Sequence, residues 1–340
     1  MMNRSLSIFV AGLLIGVLVA TAGFATFLRN QRSGGGDRLG QTVLKLAHSL
    51  DTSHPVHLAM ESMKTELEKL SSGSMTIDIY PSSVLGSEKE CIEQLQNGSL
   101  AMTKTSAAAL ENFIPSMAVF SLPYVFRDQG HFWNVLDGPV GQGLLSKGED
   151  RYLRGLCYYD AGSRNFYTKS TPIRKPEDLK GKKIRVMNSA TAIEMVKAMG
   201  GAPTPISWGE LYSALAQGTV DGAENNAPSF STNKHFEVCK HFSLDGHTRV
   251  PDILLMSLPV WNGLSPQEQQ WLQEAANESS SFQRDLWKKE TEVAYQKAKD
   301  EGVEIYEVDI AAFAAKVQPM LDGIKSETIQ KLRDQIGQVK

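Results

Sequence analysis

The chain has 340 residues, of which 41% are hydrophobic and 21% are charged, so it is long enough for about two domains with ordinary soluble cores. Its formal net charge of −3 and its pI near 6.2 provide no broad cationic surface, and we therefore expect no nucleic-acid partner. Basic residues with a role in binding must act locally.

Residues 1–30 predict an export signal, because Arg4 precedes a long apolar run and Ala20-Thr21-Ala22 fits a cleavage site. The run is also about long enough to span a bilayer and is followed by two arginines, so an uncleaved membrane anchor is an open alternative. Residues 31–40 contain three successive glycines and predict a flexible linker. In either case the remainder of the chain lies outside the cytoplasm.

The next segment alternates strand and helix patterns, which predicts a parallel sheet covered by helices. A helix begins near Pro55, and a second one begins at a capping box of Ser87 and Glu90 and ends by Gly98. The strands predicted around these helices cover residues 43–49, 75–80 and 100–106.

Polar residues occupy one rim of this predicted sheet, where ligands of such folds gather beyond the carboxyl ends of the strands. They are His48, Ser49, Glu88 and Ser106. Glu88 also lies in a first helical turn, where the helix dipole alone favours a carboxylate.

A second alternation begins with a strand at residues 153–159 and continues with strands at 165–168 and 183–187 and a helix at 190–199. A capping box of Ser207 and Glu210 predicts the next helix, which Gly218 closes. Trp208 in its first turn suits either core packing or stacking on a sugar-like ligand.

Three residues in this half predict a receptor for a small organic anion. Arg164 follows a flexible turn, Arg185 lies in a short strand, and Asn225 follows the turn at residues 218–222. Two guanidinium forks and an amide match a carboxylate in geometry and charge. The alternative is that the arginines pair with surface acids and that the asparagine serves a turn.

The C-terminal third contains strand-like segments at residues 237–244 and 252–259, and the second could return the chain to the first lobe. Ser265 to Glu268 then predicts the start of a helix that continues to about Glu301, roughly 54 Å at 1.5 Å per residue, long enough to cross both lobes. An edge strand at residues 303–308 and two amphipathic helices complete the chain.

The sequence lacks the motifs of serine hydrolases, zinc proteases, P-loop proteins and dinucleotide-binding folds, so we expect no cofactor and no metal. Cys91, Cys157 and Cys239 fit no zinc spacing and are interpreted as free buried thiols, with a disulfide between the last two as an alternative. Asp160, Asp221 and Glu224 near the arginines keep an enzyme as the second hypothesis.

The chain also resembles the DctP-like substrate-binding proteins of TRAP transporters. The resemblance extends from KLAHSLDTSHPVH through YPSSVLGSEKE, AGSRNFYT, LKGKKIRVMNS and GELYSALAQGTVDGAENN to WNGLSPQEQQWLQEAA. It implies an α/β, type II periplasmic-binding-protein fold: two lobes with mixed or parallel sheets, a hinge, and a long bridging helix. The approximate division is residues 41–160 with 250–290 in lobe I, 161–249 in lobe II, and 291–340 across both.

The resemblance further implies that Arg185 binds the ligand carboxylate and that Arg164 and Asn225 assist. Asn188 and Trp208 would line the cleft of lobe II, and Glu88, Ser106 and His48 or Ser49 would face polar groups from lobe I. The HSLDTSHPVH and ENNAPSF variants are most similar to the sugar-acid branch, particularly hexuronate binders, while dicarboxylates and keto acids stay open.

The function expected from this resemblance is capture of a hexuronate such as glucuronate or galacturonate by a monomeric, non-enzymatic periplasmic protein and its delivery to a TRAP membrane permease. The alternatives are a periplasmic sugar-acid-converting enzyme and a sensor domain held by the N-terminal anchor.

Overall fold

The computed structural model of the protein describes residues 40–340, so the predictions for residues 1–30 and for nearly all of the linker lie outside the described residues. Within them the chain forms strands in two groups. The strands are β1 Thr42–Ala47, β2 Met75–Tyr80, β3 Met102–Ser106, β4 Leu153–Tyr159, β5 Arg164–Thr168, β6 Lys183–Val186, β7 Ala202–Pro205, β8 Gly222–Asn225, β9 His241–Thr248, β10 Asp252–Ser257 and β11 Glu304–Glu307.

Helices cover the faces of the sheets and complete the C-terminus. They are α1 Pro55–Leu70, α2 Glu88–Asn97, α3 Ala107–Leu110, α4 Gln129–Asp137, α5 Pro139–Leu145, α6 Ala190–Ala198, α7 Trp208–Gln217, α8 Ala227–Thr232, α9 Leu258–Gly263, α10 Pro266–Asp300, α11 Ile310–Asp322 and α12 Glu327–Gln338. Short 3-10 turns occur at Pro115–Ser121, Glu149–Arg151, Pro176–Leu179 and His235–Glu237.

The strands form two mixed sheets, which confirms the predicted two-lobed α/β fold. The first sheet has the order β2-β1-β3-β10-β4; β1 pairs in parallel with β2 and β3, and β10 pairs antiparallel with β3 and β4. The second has the order β11-β9-β5-β8-β6-β7, with β5 antiparallel to both neighbours. The return of the chain through β10 to the first lobe is therefore confirmed.

Helix ends follow local sequence where a side chain can cap the backbone. Ser87 accepts from the amide of Glu90 at 3.4 Å while Glu90 Oε2 accepts from the Ser87 amide at 2.7 Å, so the predicted capping box at α2 is present. Gly98 ends this helix with φ of +77°, a conformation that glycine adopts without a Cβ clash. The capping box predicted at Ser207 is wrong, because its side chain makes no cap hydrogen bond and its carbonyl accepts from Glu210 instead.

Two strand predictions also differ from the structure. The alternation in sequence grouped strand β4 with the later strands, although the predicted division placed residues 41–160 in lobe I. The strand lies at the edge of the first sheet, because β10 pairs with it from far along the chain. The strand expected at residues 237–244 is β9, His241–Thr248, since residues 235–237 form a 3-10 turn. Both errors concern pairing partners or a boundary that local patterning does not specify.

The 35-residue helix α10 confirms the bridging helix, with a length of roughly 52 Å. It contacts α1 and β4 of the first lobe and α8 of the second. Its side chains also form hydrogen bonds with the edge of β4 that has no neighbouring strand within the described chain: Gln273 donates to the Leu156 carbonyl at 2.8 Å, and Ser280 Oγ donates to the Tyr158 carbonyl at 2.6 Å. The helix thus provides hydrogen bonds that a further strand would otherwise provide.

Two short segments, residues 160–163 and 249–251, carry the chain between the sheets. Gln283 of α10 accepts from the amide of Asp160 at 2.7 Å and donates to its carbonyl at 2.8 Å, which fixes the first crossing to the long helix. The three cysteines are free and buried. Between residues 40 and 340, no helix combines the length and apolar character that a membrane crossing requires.

Candidate ligand-binding cleft

A cleft lies between the two sheets, beside the chain crossings. Its inner part is a cavity of about 40 Å³, and its outer part, toward solvent, is a cavity of about 670 Å³. The two parts share Ser49, Glu88, Arg185, Met187 and Trp208, so they form one continuous cleft. Both lobes contribute to its walls, as in a cleft that closes by hinge motion.

The wall of lobe II holds Arg164 in a fixed position. Its Nε and one Nη group donate to the two carboxylate oxygens of Glu224, and Nη1 donates to Asn225 Oδ1 at 2.8 Å. The Glu224 carbonyl accepts a further bond at 2.8 Å. Burial alone would lower the pKa of Arg164, but the Glu224 carboxylate outweighs it and raises the pKa. Arg164 therefore has little hydrogen-bonding capacity left for a ligand.

Glu224 is itself held by a second buried pair. His247 Nε2 lies 3.4 Å from Glu224 Oε2, and its Nδ1 lies 2.6 Å from Asp245 Oδ2. Burial disfavours the imidazolium, yet the Asp245 and Glu224 carboxylates raise the pKa of His247 to about 9. With Arg164, the cluster contains two cations and two carboxylates, so its charges cancel.

Arg185 lies beside this neutral cluster but forms no ion pair with any residue of the described chain. It is 2% exposed, its Nε donates to the Ile206 carbonyl at 2.8 Å, and its buried Nη1 has no hydrogen-bond partner within residues 40–340. Burial lowers the pKa of its guanidinium. A buried cation without a carboxylate is costly unless an anion is supplied to it.

The wall of lobe I carries an ion triad opposite the arginines. Lys104 Nζ lies 3.1 Å from Asp252 Oδ1 and 3.4 Å from Glu88 Oε1, and the lysine side chain is only 4% exposed. Glu88 Oε1 also accepts from the Ser106 amide at 3.0 Å. Antiparallel pairing of β3 with β10, with Asp252 opposite Ser106, brings these groups together.

The structure gathers most of the predicted site residues around this cleft. Arg164, Arg185, Asn225, Glu88 and Ser106 line the inner cavity, and Ser49 and Trp208 line both parts. Asn188 lines the outer part and is exposed. The Arg185 guanidinium carbon lies 5.8 Å from the centre of the Trp208 ring.

His48 is placed differently from the rest of the predicted set. It lines neither part of the cleft, and its ring is fixed within lobe I: Nδ1 accepts from the Leu50 amide at 3.1 Å, and Nε2 lies 3.0 Å from His57 Nδ1. Desolvation lowers its pKa to about 3, so the ring is neutral. Of the two residues predicted at this strand end, Ser49 is the one at the wall.

Several lining residues were not predicted from sequence: Lys104, Asp252, Met187, Asn226 and Ser229. A signal existed for two of them, because Lys104 and Asp252 are the only charged residues within otherwise neutral strands β3 and β10. The acids that suggested an enzyme have structural partners instead. Asp160 accepts from the Gly162 amide at 2.7 Å, and Asp221 accepts from the Lys183 amide at 2.7 Å.

Contacts across the cleft join the two lobes. Glu111 Oε1 accepts from the amide of Thr191, in the first turn of α6, at 3.1 Å, and Asn112 Nδ2 donates to the Asn188 carbonyl at 2.6 Å. His54 Nε2 lies 3.1 Å from Ser229 Oγ. These groups lie on separate lobes, so the three contacts join the two walls of the cleft.

Residues 46–328 match the family model described as bacterial extracellular solute-binding protein, family 7, DctP. A TRAP periplasmic solute-binding protein of Xanthobacter autotrophicus, solved with bound β-D-galacturonate, is 38% identical, with a TM-score of 0.85 over 87% of this chain and 100% of that one. Its counterpart from Pseudomonas putida, solved with D-glucuronate, is 36% identical, with a TM-score of 0.83 over 88% and 97% of the two chains. The C4-dicarboxylate-binding periplasmic protein DctP of Rhodobacter capsulatus is 30% identical over 85% of this chain and 87% of its own length.

Proposed function

Because this chain belongs to family 7 of the bacterial extracellular solute-binding proteins, the DctP family, we propose that it captures a hexuronate in its cleft and delivers it to a TRAP membrane permease. It is a solute-binding protein and not an enzyme, like the structures that it matches. Those neighbours carry galacturonate and glucuronate, and these two sugar acids are the ligands that we propose for this chain.

The observation that carries the proposal is the unpaired cation of Arg185. Its guanidinium is buried in the cleft, its Nη1 has no acceptor among the described residues, and no carboxylate of the described chain forms an ion pair with it. A ligand carboxylate would provide both the acceptor and the opposite charge. Arg185 is accordingly the proposed primary contact.

The other site residues follow from their remaining hydrogen-bonding capacity. Asn225 Oδ1 already accepts from Arg164 and from the Asn226 amide, so its Nδ2 group is the donor proposed for the ligand. Trp208 would stack against the sugar ring, and Glu88 would accept from a ring hydroxyl. Arg164 would act mainly by positioning Asn225.

The predicted division into lobes fits the two sheets, and closure about residues 160–163 and 249–251 is the motion that we propose for ligand capture. The family is extracellular, and we propose the periplasm as the location and a monomer as the working form. The closed protein would then dock on the permease.

Calorimetric titration of the purified protein with D-glucuronate, D-galacturonate, N-acetylneuraminate and pyruvate tests the proposal. We expect one site for a hexuronate and its recovery unchanged, as judged by nuclear magnetic resonance of the released ligand. Saturation at about a hundredfold over the dissociation constant should stabilise the fold by about 2.7 kcal/mol. Absence of binding to both hexuronates by a folded preparation would contradict the proposed ligand class.

A further inference from the structure

The residues that the two lobes contribute to the inner cavity differ in net charge. On lobe II, Arg164 and His247 are balanced by Glu224 and Asp245, which leaves the single positive charge of Arg185. On lobe I, one lysine faces two carboxylates, which leaves a single negative charge. At the inner cavity, the wall from lobe II is therefore cationic and the wall from lobe I is anionic.

We propose that the triad of Lys104, Glu88 and Asp252 is a specificity filter that admits monocarboxylates bearing hydroxyl groups and excludes dicarboxylates. This inference rests on the proposed function, because it assumes that the ligand carboxylate docks at Arg185. The far end of the ligand then meets the triad. Two carboxylates there favour hydroxyl donors and oppose a second carboxylate.

The geometry of the triad supports acceptance of neighbouring hydroxyls. Lys104 contacts Asp252 through Oδ1 and Glu88 through Oε1, which leaves the second oxygen of each carboxylate as an acceptor for the ligand. The ammonium has three donors, and after these two contacts it has one to offer to a ligand oxygen. The lysine thus holds the two carboxylates in place and adds a donor between them.

Burial makes this end of the cleft sensitive to further negative charge. Asp252 is 7% exposed; burial raises its pKa, Glu88 acts in the same direction, and Lys104 opposes them. A ligand carboxylate beside Asp252 would add a third negative charge to one ammonium. In a desolvated site such a like-charge contact is poorly screened.

The test compares ligands that differ only in their terminal group. D-gluconate ends in a hydroxymethyl group where D-glucarate has a second carboxylate. D-glucuronate represents the hexuronates, the ligand class proposed above. We expect the wild-type protein to bind D-glucuronate and to bind D-glucarate and succinate at least a hundredfold more weakly. It should also bind D-gluconate more tightly than D-glucarate.

The variants Glu88→Gln and Asp252→Asn keep the shape of each side chain and remove its charge. Each should lower the preference for D-glucuronate over D-glucarate by at least tenfold, and the preference for gluconate over glucarate should fall with it. Glu278→Gln, on the exposed face of α10 and outside both parts of the cleft, makes the same change in net charge and should leave both ratios unchanged. The ratio is the diagnostic quantity, because general damage to the cleft would weaken all ligands together.

The outcomes separate this inference from the function on which it rests. If wild-type protein binds hexuronates and D-glucarate equally, or if both charge-neutral variants keep the wild-type ratios while folded, the filter is refuted and the hexuronate function stands. If wild-type protein binds no hexuronate, the proposed function fails and the filter fails with it. If succinate binds more tightly than any hydroxy acid, the filter is likewise refuted.

Discussion

Replacement of Arg185 by methionine should separate ligand binding from stability. The side chain is buried, and the change removes its hydrogen bond to the Ile206 carbonyl and its contact with the Trp208 ring. The hydrogen bond contributes about 0.5–1.5 kcal/mol to stability. Against that loss, methionine removes a buried charge whose pKa is lowered by desolvation. We therefore expect the ligand-free variant to be as stable as wild type or more stable.

The same change should strongly weaken ligand binding. Loss of one partner of a buried, hydrogen-bonded charge pair costs about 2–5 kcal/mol, which is roughly a 30-fold to several thousandfold increase in the dissociation constant. Calorimetry with D-glucuronate or D-galacturonate measures the affinity, and urea unfolding without ligand measures the stability. A folded Arg185→Met protein with affinity within threefold of wild type would refute the assigned role.

Arg164→Met is the matched control, since it removes a guanidinium from the same wall. Here the lost partner belongs to a buried ion pair, and among residues 40–340 Glu224 is left with His247 as its one ion-pair partner. Breaking such a pair costs about 3–5 kcal/mol of folding stability. We expect this variant to be clearly destabilised without ligand, unlike Arg185→Met. Equal stability losses in the two variants would show that the contrast between a paired and an unpaired arginine is wrong.

Two further predictions concern contacts that do not touch the proposed ligand. Glu111→Gln weakens the charge-assisted bond to the amide of Thr191 at the start of α6, so the closed form should be less stable and the hexuronate dissociation constant should rise about threefold to tenfold. The preference for D-glucuronate over D-glucarate should stay the same. Unchanged affinity, together with unchanged small-angle scattering in the presence of ligand, would contradict this prediction. The pKa of His247 is raised from 6.5 to about 9, so the stabilising contribution of this residue is fully present below pH 6.5 and is lost as pH rises through 9. The free energy of unfolding of the wild type, measured with urea, should therefore fall over this window. In His247→Gln the side chain beside Asp245 and Glu224 cannot titrate, and this variant should lack that loss.

Local patterning was sufficient for most elements because their determinants are close in sequence. The capping boxes at Ser87 and Ser265 and the apolar spacing of α1 predicted helices that the structure contains. The strand at residues 75–80 was predicted with its observed bounds because it alternates between two turn signals. Such features depend on a few neighbouring residues.

The two arginines show what sequence could not reveal. Both were predicted as anion ligands from residue type and strand position, yet one is paired and the other is not. The difference arises from strand register: β5 pairs antiparallel with β8, with Phe166 opposite Glu224, which places Glu224 beside Arg164. Register between distant strands is set by the whole sheet, so the identity of the unpaired arginine is a tertiary property.

The unpaired arginine also explains how ligand can control closure. Contacts such as Glu111 to Thr191 and His54 to Ser229 stabilise the closed cleft, whereas closure around Arg185 desolvates a cation that has no counterion among the described residues. A ligand carboxylate removes this cost only in the closed form, where the guanidinium is most tightly enclosed. The ligand therefore binds the closed form preferentially. A ligand shifts an equilibrium by no more than its differential affinity for the two states, and the buried guanidinium is the group that makes this difference large.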